Sequence, residues 1–207
     1  MADTLHAVAE QLWVWGGFEP AVKADLHSCA IGTPEGLVVV DPIELTGAAL
    51  TAFSALGPVV AVVLTNGNHA RAALRFRRRF AAPVLAHPGA LGELEVPVDG
   101  TLTPERLVGG ALRVLELPGG GPGEVALYDP REPWGGRLHV GDALIHLEST
   151  GFSLLPEKYC SDASLLRRSI RGLEPLPMRL MTFAHGMPLL EDAGGRLRAL
   201  RCSEAEA

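Results

Sequence analysis

The sequence predicts an α/β fold: a four-layer sandwich in which two mixed sheets pack face to face with helices outside. Three observations lead there. Short β-branched runs alternate with helical patterns, with turn residues between them. Val59–Leu64 is apolar at every position, as a strand covered on both faces requires. A strand meander followed by helical segments occurs once in each half of the chain, and two such sheet-plus-helix units bury their apolar faces by stacking.

In order, Leu12–Trp15, Lys23–Ile31 and Leu37–Asp41 read as consecutive antiparallel strands joined by Gly-Gly and Thr-Pro-Glu-Gly turns. Leu45–Leu56 reads as a helix, because Leu45, Ala49, Leu50, Phe53 and Leu56 recur at helical spacing before Gly57-Pro58 stops it. Val59–Leu64 is the central strand. A second helix spans Ala70–Phe80, a short strand Val84–Ala86, and a less regular stretch runs through Val98 and Leu107. Strands at Ala111–Leu117, Val125–Asp129 and Arg137–Val140 form the second meander. A helix over Ser161–Leu173 follows, capped by Ser161 or Asp162, with Leu165, Leu166, Ser169, Ile170 and Leu173 inward. Leu180–Phe183 is a strand, and a last strand is expected near Leu197–Arg201. Trp13, Trp15 and Phe18 are read as core.

With 207 residues, 47% hydrophobic and 20% charged, the chain suits one domain over residues 1–207 with a core that needs no staples. A net charge of -6 argues against nucleic acid or an anionic membrane as partner. Cys29, Cys160 and Cys202 form no C-x-x-C pair, so neither a disulfide framework nor a cysteine zinc knuckle is expected, and a reducing cytoplasm fits best. No basic segment followed by an apolar run opens the chain, and no stretch is long enough to cross a bilayer. The sequence leaves a homo-oligomer open.

Loops at the ends of central strands are the natural place for a site. Four stand out: Thr65–Arg71, Pro118–Gly123, Gly141–Asp142 and Ala184–Gly186. Their order and spacing, with the strands that feed them and a meander ending in an acid at Asp41, resemble the metallo-β-lactamase-fold hydrolase superfamily over nearly the whole chain. In that family the loops read Thr-His-x-His-x-Asp-His, Pro-Gly-His-Thr-Pro-Gly, Gly-Asp and Gly-His or similar, and together they hold two metals. The resemblance thus implies the fold described above and hydrolase-type chemistry at these loops.

Aligned on Thr65, this chain keeps the frame but replaces most of the ligands. Asn66 and Asn68 stand at the first two histidines, Ala70 at the aspartate, Arg71 at the third histidine and Gly120 at the histidine of the second loop; only Asp142 and His185 remain. Zinc needs three or four nitrogen, sulfur or carboxylate ligands, and neither Asn amides nor Ala and Gly supply them. A fixed Arg71 charge about 4 Å from a divalent ion would cost roughly 2 to 8 kcal/mol more. No cofactor is therefore expected, and zinc only where the site is rebuilt by His69, Asp41 or His27 joining Asp142 and His185. In place of the metal, the Arg71 guanidinium is expected against the Asp142 carboxylate.

Asp142, His185 and Arg71 are the candidate catalytic residues, and Asn66, Asn68, His69, Lys158 and Tyr159 the candidate ligand-binding residues. An aspartate after a strand often caps backbone N–H groups, and His69, one residue out of register, reads as a helix N-terminal or packing group. Lys158 and Tyr159 follow the Asp142 strand and are placed to overhang the cleft. His27 and Cys29 share a strand face, with Ser28 on the other. Arg71, Arg75, Arg77, Arg78 and Arg79 make one helix basic, read as a solvated face balanced by acids elsewhere.

These features point to a member that has lost its metals and binds a small molecule, or acts without catalysis. The alternative is a hydrolase of ester-, thioester- or lactone-type substrates. It would work through a metal-free Asp142/His185/Arg71 site or a rebuilt single-zinc site.

Overall fold

The computed structural model describes the backbone of residues 1–205 and the side chains of residues 1–200. The first sheet contains β1 (His6–Ala9), β2 (Leu12–Glu19), β3 (Ala24–Thr33), β4 (Gly36–Val40), β5 (Val59–Leu64), β6 (Val84–Ala86) and β7 (Gly100–Thr101), hydrogen-bonded in that order. It is antiparallel from β1 to β4 and parallel from β4 onward. Helices α1 (Gly47–Ser54) and α2 (Ala73–Phe80) make the crossovers from β4 to β5 and from β5 to β6. The second sheet contains β8 (Leu107–Val108), β9 (Leu112–Glu116), β10 (Val125–Asp129), β11 (Arg137–Val140) and β14 (Leu180–Phe183), in the order β14-β11-β10-β9-β8. A separate hairpin, β12 (Leu144–Leu147) with β13 (Gly151–Leu154), precedes α3 (Ala163–Arg171), and α4 (Ala193–Ala205) closes the described chain. No helix among the described residues is long and apolar enough to cross a membrane.

Strand alternation assigns side chains to layers. Ile31, Val38, Val40, Val63, Val125 and Leu127 meet between the two sheets. Ala30, Val39, Val62 and Leu64 face α1 and α2, where Trp15, Phe53, Phe76 and Phe80 form an aromatic cluster with ring centroids 5.3 to 6.1 Å apart. Ala126, Leu138 and Val140 face Leu166, Ile170 and Leu197 of the outer helices. The four layers are those expected, with Val59–Leu64 central between β4 and β6.

The structure corrects several expectations. Residues 197–201 lie inside α4 rather than in a strand. Asp192 accepts the Gly195 N–H at 3.2 Å and starts a helix whose buried residues Ala193 and Leu197 are one turn apart. The first helix begins at Gly47 instead of Leu45, because Leu45 bridges to Ala2. The second begins at Ala73 instead of Ala70, because Arg71 has φ +36, which a right-handed helix does not accept. The third runs Ala163–Arg171, with Asp162 as its cap at 2.8 Å from the Leu165 nitrogen. The β12–β13 hairpin stands in the stretch between Arg137–Val140 and the third helix, to which no element was assigned. Trp15 is core as read, whereas Phe18 is 58% exposed. The basic face of α2 is met by acids, Arg75 by Glu44 and Arg77 by a two-point contact to Asp99 at 2.7 and 2.8 Å.

One edge of the sandwich collects the ends of β4, β5, β11 and β14 with the loop between β9 and β10. Backbone bonds seal that edge: His27 N to Ala184 O (2.8 Å) joins the two sheets, and Gly67 N to Pro122 O (2.9 Å) and Val125 N to Thr65 O (2.8 Å) join the loops. The loop before β10 also touches α3 closely, since a Cβ on Gly119 would lie 2.2 Å from the Leu166 nitrogen.

Phe53 is fully buried at the centre of the aromatic cluster. Phe53→Ala is expected to cost about 3 to 5 kcal/mol in urea unfolding, against less than about 0.5 kcal/mol for Val22→Ser on the exposed β2–β3 turn. Equal losses for the two would contradict this layer assignment.

Candidate functional site

Asp41 ends β4 in the left-handed region, φ +47, with its carboxylate turned inward and 1% of the residue exposed. Its Oδ1 accepts the Thr65 N–H at 2.8 Å, and its Oδ2 accepts the Thr65 hydroxyl at 2.5 Å and His69 Nδ1–H at 2.9 Å. On the other side of the ring, His69 Nε2 donates to Asp142 Oδ1 at 3.1 Å. His69 is 3% exposed, so each ring nitrogen of a buried imidazole faces a carboxylate. Burial and the nearby Arg71 charge pull its pKa down, but Asp41 and Asp142 outweigh them and hold it at about 9. Against the cost of burial, the His69 charge in turn lowers both carboxylates, Asp142 well below the usual range.

Asp142 is held from three sides. Oδ1 also lies 3.2 Å from His185 Nε2, and Oδ2 accepts the Asn66 amide at 3.0 Å. The same Asn66 nitrogen donates to Glu124 Oε2 at 2.7 Å, while Asn66 Oδ1 accepts the Asn68 N–H at 2.9 Å. Glu124 takes the Asp142 and Ala143 N–H groups on Oε1 at 2.8 and 3.1 Å, and the Gly121 N–H on Oε2 at 3.3 Å. Burial and then the Asp142 charge push the Glu124 acid up to about 7, so it is a carboxylate above neutrality. Through these bonds one acid joins three of the four loops.

Arg71 acts on the backbone. Its guanidinium donates to the carbonyls of His27 (2.8 Å), Asp41 (3.1 Å) and Ala184 (3.4 Å), fastening β3, β4 and the end of β14 together. The expected Arg71–Asp142 pair is therefore replaced: Asp142 meets His69 and His185, and the guanidinium lies 3.5 Å from His185 Nε2. The carbonyls at the junction of the two sheets reach Arg71 first, and His69 supplies the charge that balances the acid.

His185 donates Nδ1–H to the Asp25 carbonyl at 3.1 Å, so both of its nitrogens are engaged. Nearby, His27 Nδ1 accepts the Gly186 N–H at 3.1 Å, and burial lowers its pKa. Cys29 faces His139 (3.8 Å) and Thr182 (3.6 Å) between the sheets, and burial pushes its thiol up to about 12, which leaves no thiolate for nucleophilic work.

A cleft of about 880 Å³ opens over this floor. Asn68, His69, Arg71, Asp142 and His185 line it, as does Tyr159 on the wall; Asn66 is fully buried behind it, and Lys158 folds back 4.7 Å over the Tyr159 ring. His69, expected as a capping or packing group, lies at the centre instead, because its one-residue offset turns it toward Asp41. Glu124 was not foreseen; its only signal in the sequence is a lone acid opening the apolar strand Val125–Asp129. For a metal ion, the converging group among the described residues is His69, Asp142 and His185, whose ligand atoms all lie within 4.8 Å of one another.

Residues 4–199 match a family model described as metallo-beta-lactamase superfamily. A search of curated proteins finds no match. Among solved structures, the chain is similar to a metallo-beta-lactamase from Pontibacter korlensis, with 19% identity, TM-score 0.70, and coverage of 97% of this chain and 99% of that one. It is similar to the DIM-1 metallo-beta-lactamase at 16% identity and TM-score 0.73, covering 99% and 100%. It is also similar to TTHA1623 in a di-iron-bound form at 24% identity and TM-score 0.65, covering 89% and 96%. At these identities the likeness concerns the fold.

The His69 environment sets a pH dependence. Its folded pKa of about 9 lies above the ordinary 6.5, so its stabilisation is complete below pH 6.5 and is lost as pH rises through 9. In urea unfolding, the advantage of the native protein over His69→Gln should shrink between pH 7 and 10. A constant difference across that range would contradict a charged ring.

Proposed function

The chain belongs to the metallo-β-lactamase superfamily, and within it we propose that this protein is a metal-free homologue whose cleft binds a small molecule. The observation that carries this reading is the His69 ring, with its two nitrogens bonded to Asp41 and Asp142. A protein-borne cation held there supplies the positive charge that a metal would bring to Asp142.

The donor chemistry as arranged does not fit the zinc or iron usual in the family. Coordination needs a ring-nitrogen lone pair, whereas His69 Nε2 carries the proton given to Asp142, and the Asn66 amide occupies Asp142 Oδ2. In the other half of the site, Asn66, Asn68 and Gly120 replace three histidines of the family pattern. Glu124 fills the space this frees: a Cβ on Gly120 would already lie 3.3 Å from Glu124 Cγ. Binding is favoured over metal-free hydrolysis because both His185 nitrogens already have protein partners, the Asp25 carbonyl and the Asp142 carboxylate, which a nucleophile would have to displace. The same proposal keeps the protein in a reducing cytoplasm, with Cys29 and Cys160 as free thiols.

The second reading is a hydrolase of ester-, thioester- or lactone-type substrates with a rebuilt single-metal site. It is favoured by the convergence of His69, Asp142 and His185 within 4.8 Å, and it requires His69 to give up a proton and release Asp142.

Elemental analysis separates the two. Protein purified without chelator and dialysed against micromolar zinc or ferrous iron should retain well below one equivalent; one or more would overturn the metal-free reading in favour of the hydrolase. Restoring the family ligands with Asn66→His, Asn68→His, Ala70→Asp, Arg71→His and Gly120→His should recover zinc binding. The gain should be at least about tenfold larger when Glu124→Ala is added, because the new ring at 120 needs that space. Equal affinity with and without Glu124 would refute its space-filling role.

A further inference from the structure

On the cleft floor the cationic side chains are already engaged by protein groups. Arg71 and His69 are the cations, Asp41 and Asp142 the facing carboxylates, and Glu124 lies behind them with no cation among the described residues in hydrogen-bonding contact. An incoming anion finds no unengaged charge there, since the guanidinium is committed to backbone carbonyls. An incoming cation would compete with His69 for Asp142 from beside Arg71. Charges at the rim also come in opposite signs. Lys23 and Arg75 line it together with Glu19 and Glu44, and Arg75 is paired with Glu44.

The remaining surface is apolar or neutral. Phe18 near the end of β2, Val22 on the β2–β3 turn and Tyr159 all line the cleft and are 58%, 61% and 62% exposed. Leu26, Ile145 and Leu155 add to the apolar lining. Large apolar side chains held in water around a cleft of about 880 Å³ mark a ligand that covers them. On the floor, the uncharged polar side chain that reaches solvent is the Asn68 carboxamide, whose backbone N–H is fixed by Asn66.

We propose that the ligand is an uncharged amphipathic molecule, with an amide- or ester-type head against Asn68 and a medium-length apolar chain against Phe18, Val22 and Tyr159. The assignment rests on the binding role argued above and adds the chemical class of what is bound.

The test uses the intact protein and the uncharged fluorophore N-phenyl-1-naphthylamine, displaced by three molecules of equal chain length: decanamide, decanoate and decylamine. Saturable probe binding is expected, with decanamide displacing it at a concentration at least about tenfold lower than either charged analogue. Val22→Asp, on an exposed turn outside the floor, should weaken decanamide about tenfold with unchanged thermal unfolding. The proposal is overturned by absent saturable binding, by a charged analogue that competes as well as decanamide, or by an unaffected Val22→Asp. Metal content of the same sample tells two failures apart. A metal-free protein that ignores the probe refutes the ligand class alone, whereas a metal-loaded protein that binds decanamide refutes the metal-free reading alone.

Discussion

The floor of the cleft depends on one buried ring held between two acids. Two carboxylates brought this close to each other inside a fold repel unless a cation lies between them. His69 is that cation, bonded to Asp41 at 2.9 Å and to Asp142 at 3.1 Å. Remove its charge and Asp142 is left with His185 and the Asn66 amide as partners, while Asp41, 1% exposed, keeps Thr65 and the more distant Arg71. A buried charge stripped of its partner costs about 3 to 5 kcal/mol, enough to shift the loops that carry it.

Around that clamp, two further charged side chains tie the loops where the family uses metals. Arg71 joins the carbonyls of both sheets, and its own φ of +36 and that of Asp41, +47, show backbone held in sparsely populated conformations by the bonds made there. Glu124 gathers the N–H groups of Gly121, Asp142 and Ala143 with the Asn66 amide. The two hubs work in opposite senses, a cation collecting carbonyls and an anion collecting N–H groups. Together with His69 they tie the floor of the cleft from within the protein.

Much of the fold is local in origin and was legible for that reason. The unbroken apolar run at 59–64, the strands of both meanders and the Asp162 cap each depend on residues within a few positions. Misreadings arose where a local pattern admitted two periods. Leu197-Arg198-Ala199-Leu200-Arg201 passes for a strand until Asp192 and Gly195 are seen to cap a helix. The short strands β7 and β8 and the β12–β13 hairpin owe their pairing to neighbours more than to composition. At the site, the four loops were readable from spacing, but the charge pairing was not. His69 finds Asp41 and Asp142 at separations of 28 and 73 residues, and Glu124 finds Asn66 at 58. A one-residue offset that looked like a departure from the pattern brings the ring into the position that matters.

The most direct measurement is nitrogen-15 NMR of the imidazole rings at pH 7, assigned through His69→Gln, before and after one equivalent of zinc. The account predicts that both His69 ring nitrogens carry a proton and that zinc leaves their signals where they were. A neutral ring with one bare nitrogen, or a stoichiometric zinc-dependent shift of that nitrogen, would contradict it.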